Sequence, residues 1–224
     1  MVMEIKKTPK NAILRAITAV VIAAFFWTTF FYCSPYFFSV ILGAILGIIL
    51  VKEWKNIFKV SDPLFWIIMP LYPITPFFLL IYVNESPDYR MLLLYLFIIV
   101  SVFDTASYIF GTIWGKHKII PSISPGKSWQ GALGGYCITT LMLCMITMHH
   151  NISWHTTCLL SLTICILAFA GDIFESYLKR SAGIKDSGNL LPGHGGFLDR
   201  FDAIMFVSFF FFAYKNFLIT VFIA

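Results

Sequence analysis

The densest group of residues able to do chemistry lies between positions 171 and 202, GDIFESYLKRSAGIKDSGNLLPGHGGFLDRFD, with four aspartates, four Lys or Arg, one His and a run of glycines. Asp172, Glu175, Ser176 and Lys179 recur at i, i+3, i+4 and i+7, so a helix would align carboxylates, a hydroxyl and an ammonium on one face. Asp199 and Asp202 stand at i, i+3 where an apolar run begins. Carboxylates suit the positive end of a helix dipole there, and a plain N-cap explains them as well as a site does. Between them, Pro192-Gly193-His194-Gly195-Gly196 forms a tight segment whose N–H groups can approach an anion, or simply turn the chain. The carboxylates on both sides of it suit a hard divalent cation.

A second polar cluster spans 104–131, DTASYIFGTIWGKHKIIPSISPGKSWQG. Asp104, Ser107, Tyr108 and Gly111 share one stripe of an otherwise apolar helix and are expected to face protein rather than lipid, as a functional group or as a structural ion pair. Ser124-Pro125-Gly126-Lys127 then supplies a hydroxyl, a rigid turn and a cation.

The elements that must position these groups are set by composition. Of 224 residues, 59% are apolar and 12% charged, against about 25% charged in an ordinary soluble domain. This composition excludes a soluble globule. The apolar residues come in runs near the ~20 residues that cross a bilayer, without the alternation of a transmembrane barrel. Backbone groups in lipid must be satisfied within their own segment, so the expected fold is all-α: one membrane-embedded domain over 1–224, a polytopic bundle of about seven transmembrane helices. The spans are read at about 13–32, 36–51, 63–83, 91–113, 131–148, 156–174 and 203–222. Pro70, Pro73 and Pro76 suggest that the third is two broken pieces. The run after Lys6, Lys7 and Lys10 is too long for a signal peptide and is read as the first span.

With the N-terminus cytoplasmic, seven spans put Lys52, Lys55, Lys59, Lys116, Lys118, Lys127, Lys179, Arg180, Lys185 and Arg200 on that side with the N-terminal lysines. The net charge of +5 is concentrated at this face, where it meets anionic head groups or a nucleotide. Cys33, Cys137, Cys144, Cys158 and Cys165 lack paired spacing and read as packing residues. His149, His150 and His155 read as an interfacial loop, and Trp54, Trp114, Trp129 and Trp154 as aromatic-belt anchors. Lys215 is out of place inside the seventh span: it snorkels, pairs with a buried acid, or marks a misplaced boundary.

Residues 176–202 resemble the phosphatidate cytidylyltransferase (CDP-diacylglycerol synthase) family, in which S-x-x-K-R precedes K-D, a spaced H-G-G and a closing D-R-x-D. Ser176, Lys179, Arg180, Lys185, Asp186, His194, Gly195, Gly196, Asp199, Arg200 and Asp202 occupy its fixed positions. Residues 104–131 are similar to the family's aspartate helix followed by S-P-x-K-T-W-E-G, with Ser128 and Gln130 in place of threonine and glutamate. Residues 1–90 match only in hydropathy, and the chain looks shorter than many members, as if N-terminal spans were missing.

The resemblance implies transfer of CMP from CTP to phosphatidic acid, giving CDP-diacylglycerol and pyrophosphate. It implies Asp172, Asp199 and Asp202 as Mg²⁺ ligands, a second cation being left open. Asp172, Asp199, Lys179 and His194 would be catalytic. Ser124, Lys127, Ser176, Arg180, Lys185, Gly195, Gly196 and Arg200 would bind substrate. CTP, phosphatidic acid and membrane lipids are the expected partners, with room for a homodimer and no nucleic acid. The expected location is multi-pass in a membrane, the inner membrane in a bacterium, with N-terminus and site cytoplasmic. Two alternatives are weighed beside it: a CTP-dependent lipid kinase, whose hydroxyl substrate demands a general base, and a transporter, which leaves the Lys/Asp/Gly loop unexplained.

Overall fold

The computed structural model describes residues 9–148, 150, 152–193 and 195–223, with side chains from Ile17 onward. Helices dominate. α1 (Pro9–Tyr32) leads to α2 (Pro35–Ile48), a π-helical turn (Ile49–Glu53) and α3 (Trp54–Ile57). These last three form one apolar segment, Pro35–Ile57. Local signals set its start: Pro35 is in the first turn and the Ser34 hydroxyl accepts from the Phe37 N–H. The wide π turn carries the helix past the expected end near residue 51, so Glu53 and Trp54 lie inside it.

Asp62 and Pro63 repeat the cap for α4 (Pro63–Met69), followed by a π-helical turn (Pro70–Ile74) and α5 (Thr75–Glu85). Contrary to the expectation of two pieces, the proline-rich span is a single 23-residue segment. The π turn absorbs Pro73, and the Thr75 hydroxyl donates to the Pro70 carbonyl at 2.8 Å.

α6 (Arg90–Trp114) runs to an antiparallel hairpin of β1 (Lys118–Ile120) and β2 (Ser124–Ser128), an element absent from the all-helical expectation. The Ser128 hydroxyl caps α7 (Trp129–Thr147), and Ser153 caps α8 (Trp154–Ser181). Gly131 lets α6 and α7 approach closely: a Cβ there would lie 2.7 Å from the Ser107 carbonyl oxygen.

The seventh span departs most from expectation. α9 (Leu198–Ala213) starts earlier than 203 and meets α10 (Lys215–Phe222) at a 93° bend. Lys215 explains it: in a straight helix its charge would enter hydrocarbon, whereas the bend sets its Nζ 4.5 Å from the Phe212 ring centroid and 5.6 Å from that of Tyr89. Tyr89 also donates to Asn216 Oδ1 at 2.8 Å.

Among the described residues, five helical segments are long and apolar enough to cross a membrane, or six counting the bent pair; α1 adds the shorter apolar stretch Ile17–Tyr32. The chain is thus a multi-pass helical membrane protein. The core runs through the middle of the bundle and includes Trp54, Phe77, Leu92, Ile99 and Phe211. Trp54 is 0% exposed and donates to the Phe65 carbonyl, so it is a core residue and not a belt anchor. Trp114, Trp129 and Trp154 are exposed near helix ends as expected. The five cysteines are free. His155 stacks on Trp154, and His149 lies outside the described residues.

Candidate active site

Both polar clusters meet at one end of the bundle. Lys127, on the hairpin, forms an ion pair with Asp172 on α8 and lies over the Phe169 ring. Arg180 Nε, on the penultimate residue of α8, donates to the Ile123 carbonyl at 3.2 Å, and its Nη1 donates to the Ile184 carbonyl. Two loops more than forty residues apart in sequence therefore close over one region.

Helix α9 brings the other carboxylates. Gly171 makes this possible: a Cβ at that position would sit 2.5 Å from the Asp202 carbonyl oxygen and 3.1 Å from Ala203 Cα. The backbones of α8 and α9 consequently touch beside Asp172, and Asp202 enters the electrostatic reach of Asp172, Glu175 and Asp104. Asp202 is 9% exposed, and the hydrogen bond recorded for its carboxylate comes from the Ala203 N–H. Asp104 is exposed on α6, within electrostatic reach of Asp172, Lys127 and Arg200. From its stripe, Ser107 and Gly111 pack toward α7 as expected, whereas Tyr108 is 65% exposed and faces outward.

Asp199 is built differently. Its Oδ1 accepts from Lys179 Nζ at 2.6 Å, and its Oδ2 accepts from the Gly196 N–H at 2.7 Å and from the Ser187 N–H and hydroxyl at 3.0 and 2.9 Å. Lys179, 8% exposed, also forms an ion pair with Glu175 one turn back. This triad ties α8 to α9. It leaves Lys179 buried between two carboxylates rather than open toward a phosphate. The Gly196 N–H, a candidate anion donor in the sequence, is committed to Asp199. Gly195 has φ +82°, and a Cβ there would lie 2.5 Å from Asp199 Oδ2, so the turn demands glycine.

Ser176 is buried on the α8 face, and Ser124 is half-buried at the start of β2. Lys185, Asp186 and Arg200 are exposed around the rim. His194 lies outside the described residues. Gln130, where glutamate is usual, reaches His117 Nδ1 at 2.7 Å and accepts from the His117 N–H, which ties the hairpin to α7.

Among the described residues, no group of three His, Cys, Asp or Glu side chains has the spacing of a formed metal site. The chemistry of the donor set, oxygen ligands from carboxylates, is of the type a hard cation takes. Asp172 on α8, Asp202 on α9 and Asp104 on α6 are carboxylates within electrostatic reach of one another, with Lys127 ion-paired to Asp172.

Sequence reasoning missed Glu53. It is 1% exposed, and its carboxylate accepts from the Phe197 N–H at 2.8 Å and the Leu198 N–H at 2.7 Å, with the Ser187 hydroxyl, whose single proton also serves Asp199, 3.2 Å away. One signal was available: Glu53 is the only acidic residue between Glu4 and Asp62.

Comparisons with known proteins place the chain in a family. Residues 2–218 match the model of the cytidylyltransferase family. A phosphatidate cytidylyltransferase of Staphylococcus epidermidis is 41% identical over 155 residues, covering 68% of this chain and 59% of that protein. One from Rickettsia conorii is 33% identical over 220 residues, covering 95% and 94%. One from Haemophilus influenzae is 41% identical over 144 residues, covering 58% and 49%. The chain thus spans less than two thirds of the length of the staphylococcal relatives it matches. The family match runs through both polar loops and the helices that join them, and the chain belongs to the cytidylyltransferase family.

Proposed function

We propose that this chain is a phosphatidate cytidylyltransferase that transfers CMP from CTP to phosphatidic acid at the cytoplasmic end of the bundle. A phosphate oxygen of the lipid attacks the α-phosphorus of CTP. The bond from that phosphorus to the bridging oxygen breaks, and pyrophosphate departs with the electron pair. The nucleophile is already ionised, so no general base is required. The work is to bring two anions together and stabilise charge on the leaving group.

The observation that supports this reading is the Lys127–Asp172 ion pair, which joins the two polar clusters as a single site requires. Lys127, Arg180, Lys185 and Arg200 supply cations from the hairpin, α8, the glycine-rich loop and α9, and Ser124, Ser176, Gly195 and His194 complete the proposed contacts to phosphate. Asp172 and Asp202 would hold Mg²⁺, which when bound would neutralise the crowded phosphates. Asp199, expected from the sequence as a third ligand, instead has its oxygens taken by Lys179, Ser187 and Gly196. Lys179 balances Glu175 and Asp199 and so sets the charge of the site wall.

The test uses purified protein with phosphatidic acid or a polyprenol as acceptor and CTP labelled separately at the α- and γ-phosphates. Label from the α-position in CDP-lipid supports the reading. Label from the γ-position in lipid phosphate would make the chain a lipid kinase, and no lipid product would overturn both. The side of the membrane is checked by single cysteines at Ser122 and Lys185, both exposed and both expected to react with impermeant reagents only from the cytoplasmic side. Ser187 is unsuitable as a probe because it is fully buried.

A further inference from the structure

We propose that Glu53 is a positioning residue of the site: it latches the glycine-rich loop and the first turn of α9 to the second membrane segment, and thereby holds Asp199, Arg200 and Asp202 in register with α8. The proposal rests on the cytidylyltransferase reading for its kinetic part and on geometry alone for its structural part.

The first N–H groups of a helix have no partner within the helix and need an acceptor from elsewhere. For α9, which has no side-chain cap from its own N-cap residue, that acceptor is Glu53, 144 positions away from Phe197 in sequence. Its two oxygens divide the task, Oε1 taking Phe197 and Oε2 taking Leu198. A carboxylate at this point also complements the helix dipole.

The surrounding residues are shaped to let it in. A Cβ on Gly196 would lie 2.6 Å from Glu53 Cδ, and one on Gly188 would lie 3.2 Å from Glu53 Cγ, so both glycines leave room for the carboxylate. The Ser187 hydroxyl lies within hydrogen-bond distance of Glu53 and of Asp199, which joins the latch to the site carboxylate. Asn56, on α3 beside Glu53, adds a second tie by donating to the Ser187 carbonyl at 2.8 Å. The π-helical turn ending at Glu53 is the local distortion that accompanies this reach.

The experiment compares the unaltered full chain with Glu53→Gln, Glu53→Asp and Asn56→Ala in detergent or nanodiscs, by hydrogen exchange and by kinetics with CTP and phosphatidic acid. In Glu53→Gln, backbone exchange over 187–198 is expected to rise about 10-fold while α6 and α7 are unchanged, because one oxygen acceptor is replaced by a donor. In the same variant kcat should fall at least ~10-fold with the KM for phosphatidic acid within about 3-fold. Glu53→Asp restores charge but is one methylene short, and should recover part of both losses. Asn56→Ala, which leaves Glu53 in place, should give a smaller change in the same loop and serves if Glu53→Gln does not accumulate.

Unchanged exchange over 187–198, or exchange raised throughout the protein, would overturn the latch. Faster local exchange with wild-type kcat would overturn its role in positioning. Absence of CDP-lipid formation by the unaltered chain would instead overturn the activity, and the exchange data would still judge the latch.

Discussion

Two sets of carboxylates lie within two helical turns of each other, and the protein treats them oppositely. Asp199 has its oxygens filled by an ammonium, two backbone N–H groups and a hydroxyl. Asp172 and Asp202 flank the α8–α9 contact with fewer partners, Lys127 paired to the first and a neighbouring N–H on the second. A saturated carboxylate organises chain, because every lone pair is spent on a donor that must stay where it is. A sparsely bonded cluster of like charges retains capacity for a cation or for substrate, at a cost in self-repulsion that a bound cation relieves. The glycine-rich loop thus depends on Asp199 for its shape, while the α8–α9 contact supplies the open electrostatics.

The largest effect is expected where the saturated carboxylate is broken. Asp199→Asn keeps the shape but turns an acceptor into a donor facing Lys179, Ser187 and Gly196, and should cost about 2–4 kcal/mol of stability as well as nearly all activity. A thermal melt alongside CDP-lipid formation reads both. Full stability with activity lost would place Asp199 with Asp172 instead.

Asp172→Asn should separate the two groups. Its side chain is 32% exposed, so the melt should stay near that of the unaltered protein while product formation falls by about 100-fold or more. Joined with Asp199→Asn, the activity losses should be far from additive, because each disables the same site. Product formation in the presence of Mg²⁺ chelator would dismiss the cation altogether.

Gly171→Ala tests the contact that brings Asp172 to Asp202. The added methyl must push α9 away, destabilising the fold by about 1–3 kcal/mol and lowering kcat by roughly 10- to 100-fold through displacement of the carboxylates. Normal turnover would mean that the close approach of these helices is packing alone. The smallest effect is expected at the exposed rim: Arg200→Lys keeps charge but loses the planar fork, and should reduce kcat/KM about 10-fold with no change in the melt. An unchanged rate would make Arg200 a general surface cation.

Much of this was legible before folding was considered. Runs of apolar residues gave the membrane bundle, and the spacing of Asp172, Glu175, Ser176 and Lys179 placed them on one face. The motif residues of 171–202 and 104–131 were recognisable because each lies close in sequence to its partners. Two features were misread and a third left open for a common reason. Trp54 near a span end looked interfacial, the prolines around Pro73 looked like a break, and Lys215 had three readings, one of them a misplaced boundary. In each case the deciding partner is distant: Tyr72 and Phe65 against Trp54, a π turn that keeps the prolines in one segment, and rings from α5, α9 and the segment before α6 around Lys215.

The sequence by itself therefore determined the solvent, the fold class and the inventory of charged groups, since hydrophobic run length and local spacing depend only on neighbours along the chain. Tertiary structure decided which of those groups is spent and which is open. That outcome rests on Gly171 touching the α9 backbone and on Glu53 reaching α9 from 144 positions away. Hydrogen-bond saturation and electrostatic reach are properties of distance in space, which no local pattern encodes.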